Sequence, residues 1–123
     1  MKLAERFSHL AEEMAEIDPL HEAHLRRIAS VCAQVPAYPA KTFHQALQSI
    51  WFMHELIQLE GEAVRSLGHF DRTLYPYYKA DVEAGRITRE ATKELLKFLW
   101  AACMQDGRLS LKRQGYRSRG RAL

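Results

Sequence analysis

Apolar residues recur at steps of three and four along the first part of the chain, with acidic residues between them. Because an α-helix turns once in about 3.6 residues, this spacing places the apolar side chains on one face. It predicts an amphipathic helix from the start of the chain to Ile17. The apolar positions are Leu3, Phe7, Leu10, Ala11 and Met14, and the acids are Glu5, Glu12, Glu13 and Glu16.

A second apolar stripe follows the dipeptide Asp18-Pro19. Aspartate is a favoured N-cap and proline is favoured at the first helical position, so this pair predicts the start of a second helix. Pro36 and Pro39 disfavour helical backbone at the residues before them, which predicts an extended connector after that helix. The stripe consists of Leu20, Ala23, Leu25, Ile28, Val31, Cys32 and Val35.

The third predicted helix runs from Phe43 to Leu59, with Thr42 as its cap. Its apolar residues occupy more than one face, so we expect it to be buried on most of its circumference and to need a larger body around it. These residues are Phe43, Ala46, Leu47, Ile50, Trp51, Phe52, Met53, Leu56, Ile57 and Leu59.

Residues 60–68 contain two glycines and predict a loop, after which the pattern resumes. A fourth helix over residues 70–82 is expected to be interrupted at Pro76 or to begin there, and to end at Gly85. Thr88 predicts the cap of a fifth helix that reaches Cys103. No segment alternates at period two, so the predicted fold is all-α with four to five helices and no substantial sheet.

Composition divides the chain into a helical body at residues 1–106 and a basic end at 107–123. The 123 residues are 47% hydrophobic and 27% charged, which is typical of one globular domain. From Arg108 onward there are six basic residues and no acid, whereas the preceding part is mildly acidic. The basic end predicts a disordered tail. It could bind phosphates through its arginines, although we expect no specific nucleic-acid partner.

Neither a signal peptide nor a membrane-spanning run is recognisable, so the sequence predicts a cytoplasmic protein with no membrane partner. Six histidines raise the question of a metal site. His21 and His24 are three residues apart but form no His-Glu-x-x-His motif, and His44 and His54 are expected to be separate core histidines. We therefore predict no metal site.

Two separated motifs stand out along the helical body. The first is Ala46–His54, and the second is Ser66–Asp81 followed by Gly85-Arg86-Ile87-Thr88 and the helix to Trp100. Together they resemble the pyruvate formate-lyase-like domain of glycyl radical enzymes. The resemblance covers most of the chain up to Trp100. It implies that the helices belong to the outer layer of an α/β barrel. In such enzymes a glycyl radical, installed by a radical-SAM activating enzyme, takes a hydrogen atom from a cysteine on a loop, and the thiyl radical attacks the substrate.

Neither reacting group of that family is recognisable in the sequence. Cys32 and Cys103 each lie within a predicted helix and lack the acid that usually follows the family's cysteine two residues later. Gly115-Tyr116 is flanked by Arg113 and Arg117, and this charge density is not compatible with a buried radical segment. We therefore predict no catalytic residue and no cofactor in this chain.

Three polar residues of the second motif, Ser66, His69 and Asp71, are candidates for the substrate cavity. For Ser66 and Asp71 the simpler interpretation is helix capping. His69 and Arg72 stand where arginine and glutamine are more usual in the family, so the resemblance does not carry a substrate class.

The sequence therefore predicts part of a glycyl radical domain, with family chemistry of radical C–C or C–X cleavage, that is inactive alone. Two alternatives remain. One is a helical module that pairs with the rest of a split enzyme through the Ile50–Met53 surface, or with itself. The other is a helical scaffold whose basic tail binds nucleic acid.

Overall fold

The computed structural model describes residues 2–60 and 67–104. Within these ranges the chain forms five helices and no strand, which confirms the predicted all-α fold. Residues up to Arg86 form one compact unit, and residues from Ile87 onward belong to a second. The predicted tail and Ser66 lie outside the described residues, and the domain boundary at 106 stays a prediction. The helices are α1 Lys2–Ile17, α2 Glu22–Gln34, α3 Phe43–Leu59, α4 Phe70–Glu83 and α5, residues 89–104.

The first two helices form an antiparallel pair in contact through small side chains. The buried residues of α1 are Ala4, Ser8, Ala11 and Ala15, which are spaced as one helical face. The Ser8 hydroxyl donates a hydrogen bond of 2.9 Å to the carbonyl oxygen of Ala29 in α2. Because these side chains are small, the two helix axes can approach closely. The large apolar residues expected to face the core lie on another part of the surface of α1.

The predicted start of the second helix at Asp18-Pro19 is wrong. The α2 helix begins at Glu22, and its N-cap, His21, makes no side-chain cap. The Asp18 carboxylate instead accepts the backbone N–H of Leu20 at 3.1 Å and lies 2.7 Å from the His21 ring. An aspartate that binds the backbone two residues further along stabilises a turn in place of a helix start.

The connector after α2 also differs from the extended segment that its prolines predict. The N–H of Tyr38 donates to the carbonyl of Gln34 at 2.8 Å, so the connector begins with a turn. The α3 helix then starts where expected, because the Thr42 hydroxyl accepts the N–H of Gln45 at 3.2 Å. Every described side chain of α3 is buried or half-buried except Met53 and Leu59, as its apolar pattern predicts.

The core of the first unit lies where α1, α2 and α3 meet. Ala4, Cys32 and Phe52 form a buried cluster, against which Ile28 packs. The Phe7 ring adds to its edge, with its centroid 6.0 Å from that of Phe52. No helix in the described part of the chain has both the length and the hydropathy needed to cross a membrane.

The fourth helix is continuous from Phe70 to Glu83, so the predicted break at Pro76 is wrong. Pro76 is exposed, which leaves the carbonyl that lacks its usual N–H partner close to solvent. Gly85 terminates the helix from the C′ position, as predicted. This glycine has a φ of 71°. Its N–H donates to the backbone carbonyl of Val82 at 3.1 Å, and the N–H of Arg86 donates to the backbone carbonyl of Asp81 at 2.9 Å. The two bonds are those of a Schellman C-cap.

The second unit contains α5, whose start agrees with the sequence. The Thr88 hydroxyl accepts the N–H of Ala91 at 3.1 Å, and the Thr88 carbonyl accepts the N–H of Thr92 at 3.0 Å. Threonine thus caps this helix by satisfying a backbone donor of the first turn.

Candidate functional site

The start of α4 holds two of the three residues that the sequence nominates for a substrate cavity. His69 is the N-cap residue and Asp71 lies in the first turn, and both are exposed. The His69 side chain makes no cap, whereas its carbonyl accepts bonds from the N–H and hydroxyl of Thr73 at 3.0 and 3.1 Å. The two residues are therefore neighbours on one helix end. Ser66 lies outside the described residues, so the third candidate cannot be placed beside them.

The chemistry available at this helix end is modest. An imidazole can donate or accept a proton near neutral pH, and a carboxylate can accept hydrogen bonds. Asp71 is also well placed to interact with the positive end of the helix dipole. That electrostatic role accounts for an aspartate here without a ligand, although Asp71 is not the N-cap that the simpler interpretation expected. The assignment of His69 and Asp71 to a cavity stays a prediction.

The far end of α4 contains a buried charged group that the sequence analysis did not single out. The Asp81 side chain is only 4% exposed. One carboxylate oxygen accepts a hydrogen bond of 2.8 Å from the backbone N–H of Phe43, the first residue of α3. The other oxygen accepts hydrogen bonds from Nε and Nη2 of Arg86 at 3.0 and 2.7 Å. The carboxylate thus joins the N-terminus of α3 to the C-terminus of α4.

This arrangement brings the end of the second sequence motif next to the residues just before the first. Asp81 ends the motif that begins at Ser66, and Arg86 lies in the short segment that follows it. Phe43, which the carboxylate contacts, precedes the other motif by three residues. The sequence signal that could have pointed to this ion pair is an acid in the last turn of a helix, Asp81, with an arginine, Arg86, directly after the glycine that ends the helix.

Both cysteines of the chain lie in described helices. Cys32 belongs to the buried cluster of the first unit, and burial raises the pKa of its thiol. Cys103 lies in α5, is half-buried and forms no disulfide. A reactive thiol requires a partly exposed position and a lowered pKa, which is the opposite of the surroundings of Cys32. The positions agree with the prediction that neither sits on a loop.

The described glycines also do not suit a buried radical site. Gly68 and Gly85 flank α4, both are exposed, and both have a positive φ that the turns there require. Gly115 lies outside the described residues. The described glycines therefore do not fit a glycyl radical site, and no radical step is assigned to them.

The described histidines are dispersed. His21 interacts with Asp18, whose pKa is lowered by the hydrogen bond from that ring. His54 stacks on Trp51 with a centroid distance of 5.4 Å. Within residues 2–60 and 67–104, no group of three or more His, Cys, Asp or Glu side chains is arranged to hold a metal ion.

His44 is a half-buried histidine of α3 whose charge state matters for folding. Burial lowers its pKa, and the positive charges of Arg27 and His24 on α2 lower it further. An unfolded chain, in which a histidine has a pKa of about 6.5, therefore takes up this proton before the folded chain does. The contribution of His44 to the free energy of unfolding is therefore expected to be constant above about pH 7.5 and to fall as the pH drops below about 6.5.

We expect His44→Gln to remove part of this acid sensitivity, because glutamine cannot take up the proton. Urea unfolding followed at a neutral and a mildly acidic pH measures the effect. His9→Gln, at an exposed position of α1, is the matched control and should keep most of the loss. An equal loss in His44→Gln and the unaltered chain would assign the acid sensitivity to other groups.

The helical fold and the paired motifs are those of part of a larger enzyme domain. Residues 1–115 match the pyruvate formate lyase-like family, and the chain belongs to that family. It is 39% identical to the isethionate sulfite-lyase of Oleidesulfovibrio alaskensis over 106 residues, which cover 83% of this chain and 13% of that enzyme.

Two solved structures show the same likeness in three dimensions. One concerns 1,2-propanediol dehydration in Roseburia inulinivorans, with a TM-score of 0.74, 42% identity, and coverage of 79% of this chain and 13% of the other. The second is the hydroxyproline dehydratase of Clostridioides difficile, with a TM-score of 0.74, 37% identity, and coverage of 80% and 13%. The chain thus spans about an eighth of the length of the relatives it matches.

Proposed function

We propose that this chain forms a non-catalytic helical part of a glycyl radical enzyme and that it functions only together with the rest of such a domain. The observation that carries the proposal is the position of its two cysteines, both within helices and one buried with a raised pKa. A thiyl radical must reach both the glycyl radical and the substrate, so its cysteine has to lie in an accessible site held close to both.

The reaction of the assembled enzyme is proposed from the relatives. Their names include a sulfite-lyase and dehydratases, which points to cleavage of a carbon–sulfur or carbon–oxygen bond in a small polar molecule. The radical and the reactive thiol would come from the remainder of the domain. His69 and Asp71 are the described residues of this chain proposed to face the substrate cavity, and Ser66 is the third candidate. The free thiol of Cys32 supports a cytoplasmic location.

An activation assay tests the first half of this proposal. The isolated chain is incubated anaerobically with a radical-SAM activating enzyme, S-adenosylmethionine and reductant, beside the intact O. alaskensis lyase as a positive control. We expect a glycyl radical signal by electron paramagnetic resonance and sulfite release from isethionate only in the control. A radical signal or sulfite from the isolated chain would overturn the proposal.

Complementation tests the second half. The O. alaskensis lyase, with the stretch that this chain matches removed, is co-expressed with the full chain and then activated. We expect sulfite release that depends on the chain and is unchanged by the paired substitutions Cys32→Ala and Cys103→Ala. Loss of turnover in that variant, with its helical circular dichroism intact, would assign a reacting thiol to this chain.

A further inference from the structure

The α1 helix directs its small residues inward and its large apolar residues outward. The outer face of α1 consists of Leu3, which is half-buried, and the exposed Phe7, Leu10, Met14 and Ile17. Phe7, Leu10 and Met14 are 46%, 49% and 46% exposed, and Ile17 is 81% exposed. At about 100° per residue, this face points roughly 110° away from the buried alanine face around the helix axis. An apolar face of this size on a helix indicates a surface that binds another element.

The rotational setting of α1 is fixed by its contact with α2. The hydrogen bond from Ser8 to Ala29 and the buried alanines hold the small face against α2. Turning α1 so that Phe7 or Met14 pointed inward would overpack an interface built for alanine. The Phe7 ring also contacts Phe52 of the core, which holds one edge of the outer face in place. The outer face is therefore a stable feature of this unit.

The spacing of the outer face indicates what binds it. Its residues follow one another at steps of four, three, four and three, which is the heptad spacing of a seam between packed helices. It contains no charged residue. The partner that fits is therefore an apolar helix face, packed side by side with α1.

We propose that the outer face of α1 is the docking surface for the remainder of a pyruvate formate lyase-like domain. This inference rests on the proposed function. The chain accounts for only 13% of the relatives it matches, so most of a complete domain lies outside it and is available to cover this surface. The Ile50–Met53 surface suggested by the sequence is a weaker candidate, because Phe52 is buried and only Met53 is exposed.

Two methionines provide a matched measurement. Met14 lies on the outer face and Met53 on α3, and they are 46% and 49% exposed. The full chain, alone or co-expressed with the truncated O. alaskensis lyase, is treated with hydrogen peroxide, and sulfoxide formation is followed for each peptide by mass spectrometry. We expect oxidation of Met14 to slow at least about fivefold in the complex, while Met53 changes less than about twofold.

A pair of leucine substitutions tests the same surface by affinity. Leu10→Glu places a charge on the outer face and is expected to reduce recovery of the chain with a tagged lyase remainder by about tenfold or more. Leu59→Glu, at an exposed position of α3, is the matched control and should leave recovery unchanged. Circular dichroism of each isolated variant establishes that the helices remain intact.

The outcomes separate this inference from the proposed function. No complex with the unaltered chain would overturn the proposed function itself. A complex in which Met53 is protected in place of Met14, or in which both leucine variants bind alike, would overturn only the docking surface. Protection of Met14 in the isolated chain as its concentration rises would show that a second copy covers the face, and would also overturn it.

Discussion

Replacing Phe52 with alanine is expected to lower the free energy of unfolding of the first unit by about 3–5 kcal/mol. The Phe52 side chain is 3% exposed and lies in the cluster where α1, α2 and α3 meet. Its loss removes apolar contacts to Ala4 and Cys32 and leaves a cavity between the helices. Urea denaturation followed by far-ultraviolet circular dichroism measures the change.

Leu59→Ala is the control, because this leucine belongs to the same helix and is mostly exposed. Its effect should stay within about 0.5 kcal/mol, as for surface substitutions in general. A domain of this size has a total stability of about 5–15 kcal/mol, so Phe52→Ala should be recovered with reduced helicity or reduced solubility. Equal effects of the two substitutions would mean that the three helices do not share one core.

Replacing Asp81 with alanine is expected to cost about 2–4 kcal/mol of folding stability. Its carboxylate accepts the first N–H of α3 and pairs with Arg86, and alanine would leave both donors without their acceptor. The estimate stays below that for a fully buried ion pair because the Arg86 side chain is 53% exposed and can turn to water. Denaturation curves give the size, and amide exchange at Phe43 gives the location.

Two further variants divide this effect between its causes. Arg86→Ala keeps the bond from Asp81 to the N–H of Phe43 but leaves the other buried carboxylate oxygen without its donors, and is expected to cost about 1–3 kcal/mol. Asp71→Ala, at the exposed start of the same helix, should cost about 0.3–1 kcal/mol through the helix dipole. If Asp81→Ala were no worse than Asp71→Ala, the buried carboxylate would not be holding α3 and α4 together.

The contact at Asp81 also bears on the position of α4 within the first unit. It joins the N-terminus of α3 to the C-terminus of α4, and His69 and Asp71 lie at the other end of that helix. A change at Asp81 is therefore expected to disturb the candidate cavity residues without contacting them.

The existence, order and approximate limits of the helices followed from the sequence, because the signals that set them are local. The three- and four-residue spacing fixes the period, and a threonine or glycine at a helix end satisfies backbone groups within a few residues. Thr42, Thr88 and Gly85 all act as expected. The family likewise followed from two short motifs and their spacing, and the matching family confirms it.

The tertiary structure decided the features that depend on residues far apart in the chain. Periodicity alone cannot show which of two apolar faces of α1 turns inward, since both have helical spacing; the fit of small side chains against Ala29 decides it. Asp81 accepts, besides the nearby Arg86, a backbone N–H that lies 38 positions earlier, and no local pattern reveals this long-range bond. The exposed position of Pro76 also lets α4 continue through it, where the backbone preference favours a break.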